Sequence, residues 1–277
     1  MLIAPLSLAT AQGQEMLDSL TDRFQAADPG CEDAVKGILK AVAERGDDAV
    51  LEYGRKFDCP VLERENLQVS TAELKAAYEL VDEAFLDTLG RAIERIQVFH
   101  EREMEDSWIQ TKEDGTIVGR LVRPVDSAGL YVPGGQGGST PLVSSVLMNG
   151  IPAAIAGVAC RVMVSPPAAD GRISPHLLVA AQEIGITEIY KAGSAWAIGA
   201  LAYGTGVIPK VDVIVGPGNQ YVAEAKSQVA GMVKIDMIAG PSEVLIIADE
   251  TASGTTVAAD MLAQAEHDPL ALAVLVT

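Results

Sequence analysis

The sequence predicts an α/β fold with a mainly parallel sheet, and three observations carry that expectation. Apolar residues recur at helical spacing through about the first hundred residues. A turn signal at Asp114-Gly115 then introduces alternating, β-type patterning. From Ala128 onward, short β-prone runs alternate with helical stretches, the signature of βα units, whose parallel strands need a crossover helix to return the chain to the same edge.

The elements follow in order. In the helical N-terminal region, Ser70-Thr71-Ala72-Glu73 has the spacing of a capping box, in which hydroxyl and carboxylate satisfy each other's backbone N–H groups. It opens a long apolar-periodic stretch through Leu74, Tyr78, Leu80, Val81, Phe85, Leu89, Ile93 and Ile96. Asp114-Gly115, between 108–111 and 116–122, predicts a β-hairpin. The βα series then runs as a strand over 129–132, a helix from Thr140 with Pro141 at its first position, a strand over 161–164, and a helix from Ser174 with Pro175 next. It continues with a strand over 188–191, a helix from Ser194, a strand over 211–215 and a helix from Asn219. After Ala239 a second βα unit starts, with a strand over 243–247, a helix from about Thr255 and a strand over 271–276, within which the chain is expected to break off.

Composition narrows the function classes. With 277 residues, 49% hydrophobic and 21% charged, the chain has enough apolar mass for about two domains and too much for a disordered segment. No apolar run approaches the roughly 20 residues that span a bilayer, because the best candidate, 151–160, stops at Arg161. No basic residue precedes Arg23, so the charged start of a secretory signal is missing and a cytoplasmic protein is expected. Cys31, Cys59 and Cys160 lack metal or redox spacing and read as core filler in a reducing compartment. A net charge of -18, with no basic stripe, argues against nucleic acid and anionic membranes as partners.

Several local patterns carry candidate chemistry. Gln264 and His267 are three apart near the end of the 255–265 helix, so both side chains leave one face and can converge on an ion, whereas a lone His there would ordinarily cap carbonyls. Gly216-Pro217-Gly218-Asn219 joins a strand to a helix; its glycines permit close backbone approach, and Asn219 can cap the helix. The loop Pro133-Gly134-Gly135-Gln136-Gly137-Gly138-Ser139-Thr140 lies where backbone amides could hold an anion, with a plain βα turn equally in keeping. The GxGxxG fingerprint is missing. Ser242, in Ala239-Gly240-Pro241-Ser242-Glu243, reads on its own as a turn residue, and His100 and His176 as helix-surface or partly buried residues without a metal role.

Taken together, the segment 235–244, Gln264-Ala265-Glu266-His267-Asp268, Arg91-Ala92-Ile93-Glu94-Arg95-Ile96, Phe99-His100-Glu101, Gly129-Leu130-Tyr131-Val132-Pro133-Gly134-Gly135, Ser144-Ser145-Val146-Leu147-Met148-Asn149 and Gly216-Pro217-Gly218-Asn219 resemble the histidinol dehydrogenase family over nearly the whole chain. The resemblance implies two Rossmann-like domains, one inserted in the other. Residues 131–238 would form the inserted, NAD-binding domain, while 1–130 (a helical region and hairpin) and 239–277 would belong to the other, which is then incomplete. It implies a homodimer that oxidises L-histidinol to L-histidine through L-histidinal, with two NAD+ and one zinc per subunit.

The resemblance also assigns residues. Tyr131 and Asn219 would contact NAD; Ser242, Gln264 and His267 would contact the substrate; Gln264 and His267 would bind zinc. Trp196 in Gly193-Ser194-Ala195-Trp196 stands where the family has a cofactor-contacting Gln; an indole keeps a donor, loses the amide acceptor and adds bulk. The catalytic Glu-His pair and the remaining zinc ligands, an Asp and a His, would fall beyond Thr277, leaving no catalytic residue within the 277 and an isolated chain that is inactive. Two alternatives remain open. One is a related NAD-dependent dehydrogenase of another polar alcohol, motivated by Trp196 and a glycine loop longer than the family's; the other is a non-catalytic fragment that binds a ligand or partner through the inserted domain.

Overall fold

The computed structural model describes residues 5–23, 29–134, 141–238, 243–266 and 271–277. Its N-terminal third is helical: α1 (Ala11–Arg23), α2 (Pro29–Arg45), α3 (Asp47–Phe57), α4 (Thr71–Tyr78) and α5 (Glu83–His100). The capping box forms as expected, with Ser70 Oγ accepting from Glu73 N at 3.2 Å and Glu73 Oε2 accepting from Ser70 N at 3.0 Å. The apolar-periodic stretch beyond it is two helices, not one. Asp82 accepts from Phe85 N at 2.7 Å and starts α5 afresh, because its short carboxylate satisfies an N-terminal N–H better than it tolerates a helix interior.

The hairpin is also present. β1 (Trp108–Thr111) and β2 (Ile117–Arg120) pair antiparallel from Trp108↔Arg120 to Thr111↔Ile117, and Gly115 takes the positive φ of 85° that such a turn requires.

The βα series builds a five-stranded parallel sheet. Its strands are β3 (Ser127–Tyr131), β4 (Cys160–Ser165), β5 (Glu188–Lys191), β6 (Val213–Val215) and β7 (Lys234–Ile235), in the order β5-β4-β3-β6-β7. The crossovers are α6 (Val143–Ile155), α7 (Pro175–Glu183), α8 (Ser194–Tyr203) and α9 (Gln220–Val229). One expected boundary is corrected: α6 starts at Val143 and not at Thr140. Val143 N donates to Pro141 O at 3.0 Å and Leu142 lies at φ -84°, ψ 68°, an inverse γ-turn that keeps Pro141 outside the helix.

Two apolar cores flank this sheet. On one face α8 and α9 pack under α2 and α3, burying Val35, Leu39, Val42, Ile198, Leu201 and Val222. On the other, α6 and α7 pack under α4 and α5, burying Leu74, Leu89, Leu147, Ile151, Leu177 and Val179. The N-terminal helices are therefore outer layers on both faces, and Cys31 and Cys59 are buried among them as filler. The second βα unit, β8 (Glu243–Ile247), α10 (Gly254–Ala265) and β9 (Leu272–Val276), pairs its strands in parallel from Glu243↔Leu272 to Ile247↔Val276. Among the described residues, no helix is long and apolar enough to cross a membrane.

Candidate functional site

An open parallel sheet leaves a crevice where its strand order reverses, because the loops leaving the two neighbouring strands turn to opposite faces. Here the reversal falls between β3, whose chain passes to α6, and β6, whose chain passes to α9. Tyr131 ends β3, and Gly216-Pro217-Gly218-Asn219 follows β6 directly.

The two strand ends lie unusually close. Gly216 has φ 121°, and a Cβ there would stand 2.1 Å from Tyr131 O and 3.0 Å from Asn149 Nδ2. Only glycine fits, and Asn149 in turn donates to Tyr131 O at 3.4 Å. Asn219 caps α9 as its sequence position suggested, its Oδ1 accepting from Tyr221 N at 3.1 Å and Val222 N at 3.2 Å. The cap uses the oxygen, so the amide NH2 is the part of the side chain suited to donate to a ligand.

Tyr131 is buried, and its hydroxyl accepts from Ser194 N, the first amide of α8, at 3.1 Å. Burial holds the phenol well above its ordinary range, so it stays neutral. Ser194 itself has φ 45°, the left-handed region that costs a non-glycine residue, and Gly193 before it approaches so closely that a Cβ would meet Pro166 Cβ at 2.7 Å and Asp58 Oδ2 at 3.1 Å. Asp58 Oδ2 is buried without a hydrogen-bond partner among the described residues, and desolvation pushes the carboxyl pKa up to about 7.

Trp196 lies in the first turn of α8 and is 3% exposed. Its ring stacks on α3, with centroids 5.9 Å from Tyr53 and 5.6 Å from Phe57, while Nε1 has no acceptor among the described residues. Below the turn after β6, the buried Lys226 of α9 forms an ion pair with the partly exposed Asp236 after β7, and the two also grip Gly216. A cavity of about 620 Å³ adjoins the carboxyl edge, bounded by Gly134, Pro166 and residues of α4 and α7. Another of about 620 Å³, around Asp126, Lys210 and Lys234, lies away from it at the strands' amino ends.

The structure thus brings Tyr131, Asn219 and the N-terminus of the Trp196 helix to one edge of the sheet. Gln264 is half-buried in the last turn of α10. Ser242, His267 and the glycine loop over 135–140 lie outside the described residues. Among the described residues, no group of three His, Cys, Asp or Glu could hold a metal. His100 pairs with Glu103, and His176 meets the Phe85 ring edge-on at 4.7 Å. Sequence reading missed Asp58 and Lys226, which no local pattern marks, and gave no role to Asn149 and Asp236 although both lie within the motifs that carry the resemblance; each matters through a residue brought near only by folding.

Comparison with known proteins gives one consistent result. A family model for histidinol dehydrogenase matches residues 21–277. The histidinol dehydrogenase of Desulfotalea psychrophila is 72% identical over 277 residues, 100% of this chain and 64% of that protein. That of a Synechococcus strain is 52% identical over 268 residues, 96% of this chain and 61% of that protein. A crystal structure of histidinol dehydrogenase from Elizabethkingia anophelis superposes with a TM-score of 0.82 at 41% identity, covering 90% of this chain and 56% of the other. The chain thus spans less than two thirds of the length of these relatives.

Proposed function

The chain belongs to the histidinol dehydrogenase family, and on that basis we propose that the protein oxidises L-histidinol to L-histidine through L-histidinal, the closing steps of histidine biosynthesis, with two NAD+ as hydride acceptors and one zinc ion per subunit. The observation that carries the cofactor half of this reading is the crevice between β3 and β6. Tyr131 and Asn219 stand on its two sides, and Gly216 lets the two strand ends approach closely. When bound, NAD+ supplies the hydride acceptor, and the chain's own groups orient it: the neutral Tyr131, fixed by Ser194 N, forms one wall, and the Asn219 amide offers a donor from the other. Trp196 stands where the family has a Gln, and since its buried ring stacks on Tyr53 and Phe57, its effect on the cofactor would pass through the first turn of α8.

For zinc, Gln264 and His267 are the donors this chain would contribute, together with contacts to substrate that Ser242 would share. Zinc would act as a closed-shell Lewis acid that holds the substrate's nitrogens. A half-buried carboxamide in the last turn of a helix suits that use, but two donors are half of a usual set, so the reading requires further ligands beyond Gln264 and His267. We place the NAD-binding domain at 131–238 and assign 1–130 and 239–277 to the other domain; a cytoplasmic homodimer completes the reading.

The test is NADH formation dependent on L-histidinol in a full-length version of the protein, together with His267→Ala in it, which should remove zinc and turnover together. Turnover that survives loss of His267 would defeat the assignment. Trp196 in place of Gln supports a second reading, a dehydrogenase of another polar alcohol. Faster turnover of such an alcohol than of L-histidinol in a substrate screen would establish it.

A further inference from the structure

A single residue of the turn after β6 is held from both sides. Lys226 is 1% exposed, and its Nζ donates to Gly216 O at 3.0 Å and to Asp236 Oδ1. The other carboxylate oxygen, Oδ2, accepts from Gly216 N at 2.8 Å, and Oδ1 also accepts from Met237 N at 2.6 Å. Both backbone polar groups of Gly216 are thereby bound by one ion pair. Lys226 lies two helical turns beyond Asn219, so the cap, the helix and the lysine close a ring back onto Gly216.

A buried lysine paired with a partly exposed carboxylate is poorly explained by stability alone, since a well-packed apolar residue usually serves such a position as well or better. What such a pair offers is fixed geometry. We propose that Lys226 and Asp236 are positioning residues for the cofactor crevice: they hold the Gly216–Asn219 turn against the end of β3 and so fix where the Asn219 amide meets the ligand. This rests on the reading of the crevice as the NAD site. Neither side chain needs to touch the cofactor. Their effect passes through Gly216, whose φ of 121° and contact with Tyr131 O leave it little room to shift without carrying the whole turn.

The experiment compares the whole 277-residue chain with Lys226→Met, Asp236→Asn and the double variant, measuring NAD+ affinity by calorimetry and thermal unfolding in parallel. Lys226→Met should lower the melting temperature and weaken NAD+ at least tenfold, because it leaves Asp236 unpaired and Gly216 O without its donor. The double variant removes the stranded charge, so its melting temperature should return most of the way to wild type while NAD+ stays at least tenfold weaker. Recovery of both in the double variant, or unchanged NAD+ affinity in Lys226→Met, would overturn the proposal and leave the pair a purely structural one. Should these variants fail to fold, Asp236→Glu keeps the charge and displaces the carboxylate by one methylene. It should weaken NAD+ with little change in melting temperature, and unchanged affinity there would equally overturn the proposal. A wild-type chain that binds no NAD+ in the same titration defeats the underlying reading and the proposal with it, an outcome distinct from a variant that binds as tightly as wild type.

Discussion

Replacing Asp58 with Asn should stabilise the protein at neutral pH. Desolvation raises the Asp58 pKa from 3.8 to about 7, and one of its oxygens is buried without a partner among the described residues. In the unfolded chain the carboxyl titrates near its ordinary value. Below that value both states hold the proton and the group costs nothing. Between the two values the unfolded state releases the proton while the folded state keeps it, so stability falls as pH rises; above about 7 the loss is complete and constant. At about 1.4 kcal/mol for each tenfold change in proton affinity the full loss is about 4 kcal/mol. Solvent reaching the half-buried side chain reduces this to about 2 kcal/mol. Asn keeps the shape and cannot ionise. Asp58→Asn should therefore exceed wild type by about 2 kcal/mol at about pH 8, roughly 4–8 °C in melting temperature for a chain of this size, and the gap should close toward about pH 4. Thermal and urea unfolding of both proteins across that range gives the curves. Parallel curves would show that Asp58 ionises freely in the folded state and that the burial argument is wrong.

Three further outcomes follow from the same geometry. Gly216→Ala places a methyl group 2.1 Å from Tyr131 O at φ 121°, and should cost about 2 kcal/mol or more in a urea titration together with NAD+ affinity. Asn219→Asp keeps the capping oxygen and loses the amide donor, so the fold should change by less than about 1 kcal/mol while NAD+ binding weakens; equal NAD+ binding would leave Asn219 with capping alone. In a Trp108→Phe background, NAD+ should quench or shift the fluorescence of buried Trp196, and Trp196→Gln should bind NAD+ at least as well; an unresponsive Trp196 would lie outside the site.

What the sequence determined by itself is the identity and order of the elements. The Ser70-Glu73 box, Pro175 opening α7, Asn219 capping α9 and the Asp114-Gly115 turn act within a few residues of themselves, so their physics is complete in a short stretch of chain. The departures are local too: the turn at Leu142 delays α6, and Asp82 divides a periodic run that apolar spacing alone would join. Family motifs in the sequence also pointed to Tyr131 and Asn219 at the carboxyl ends of neighbouring strands, and the strand order β5-β4-β3-β6-β7 makes those two strands the ones between which the order reverses. The tertiary structure alone decided that Trp196 faces Tyr53 and Phe57, that Asp58 is desolvated beside Gly193, and that Lys226 and Asp236 grip Gly216. Each depends on residues from different elements meeting in space, and the energy of such a meeting comes from burial and exclusion of water, which no short stretch of sequence contains.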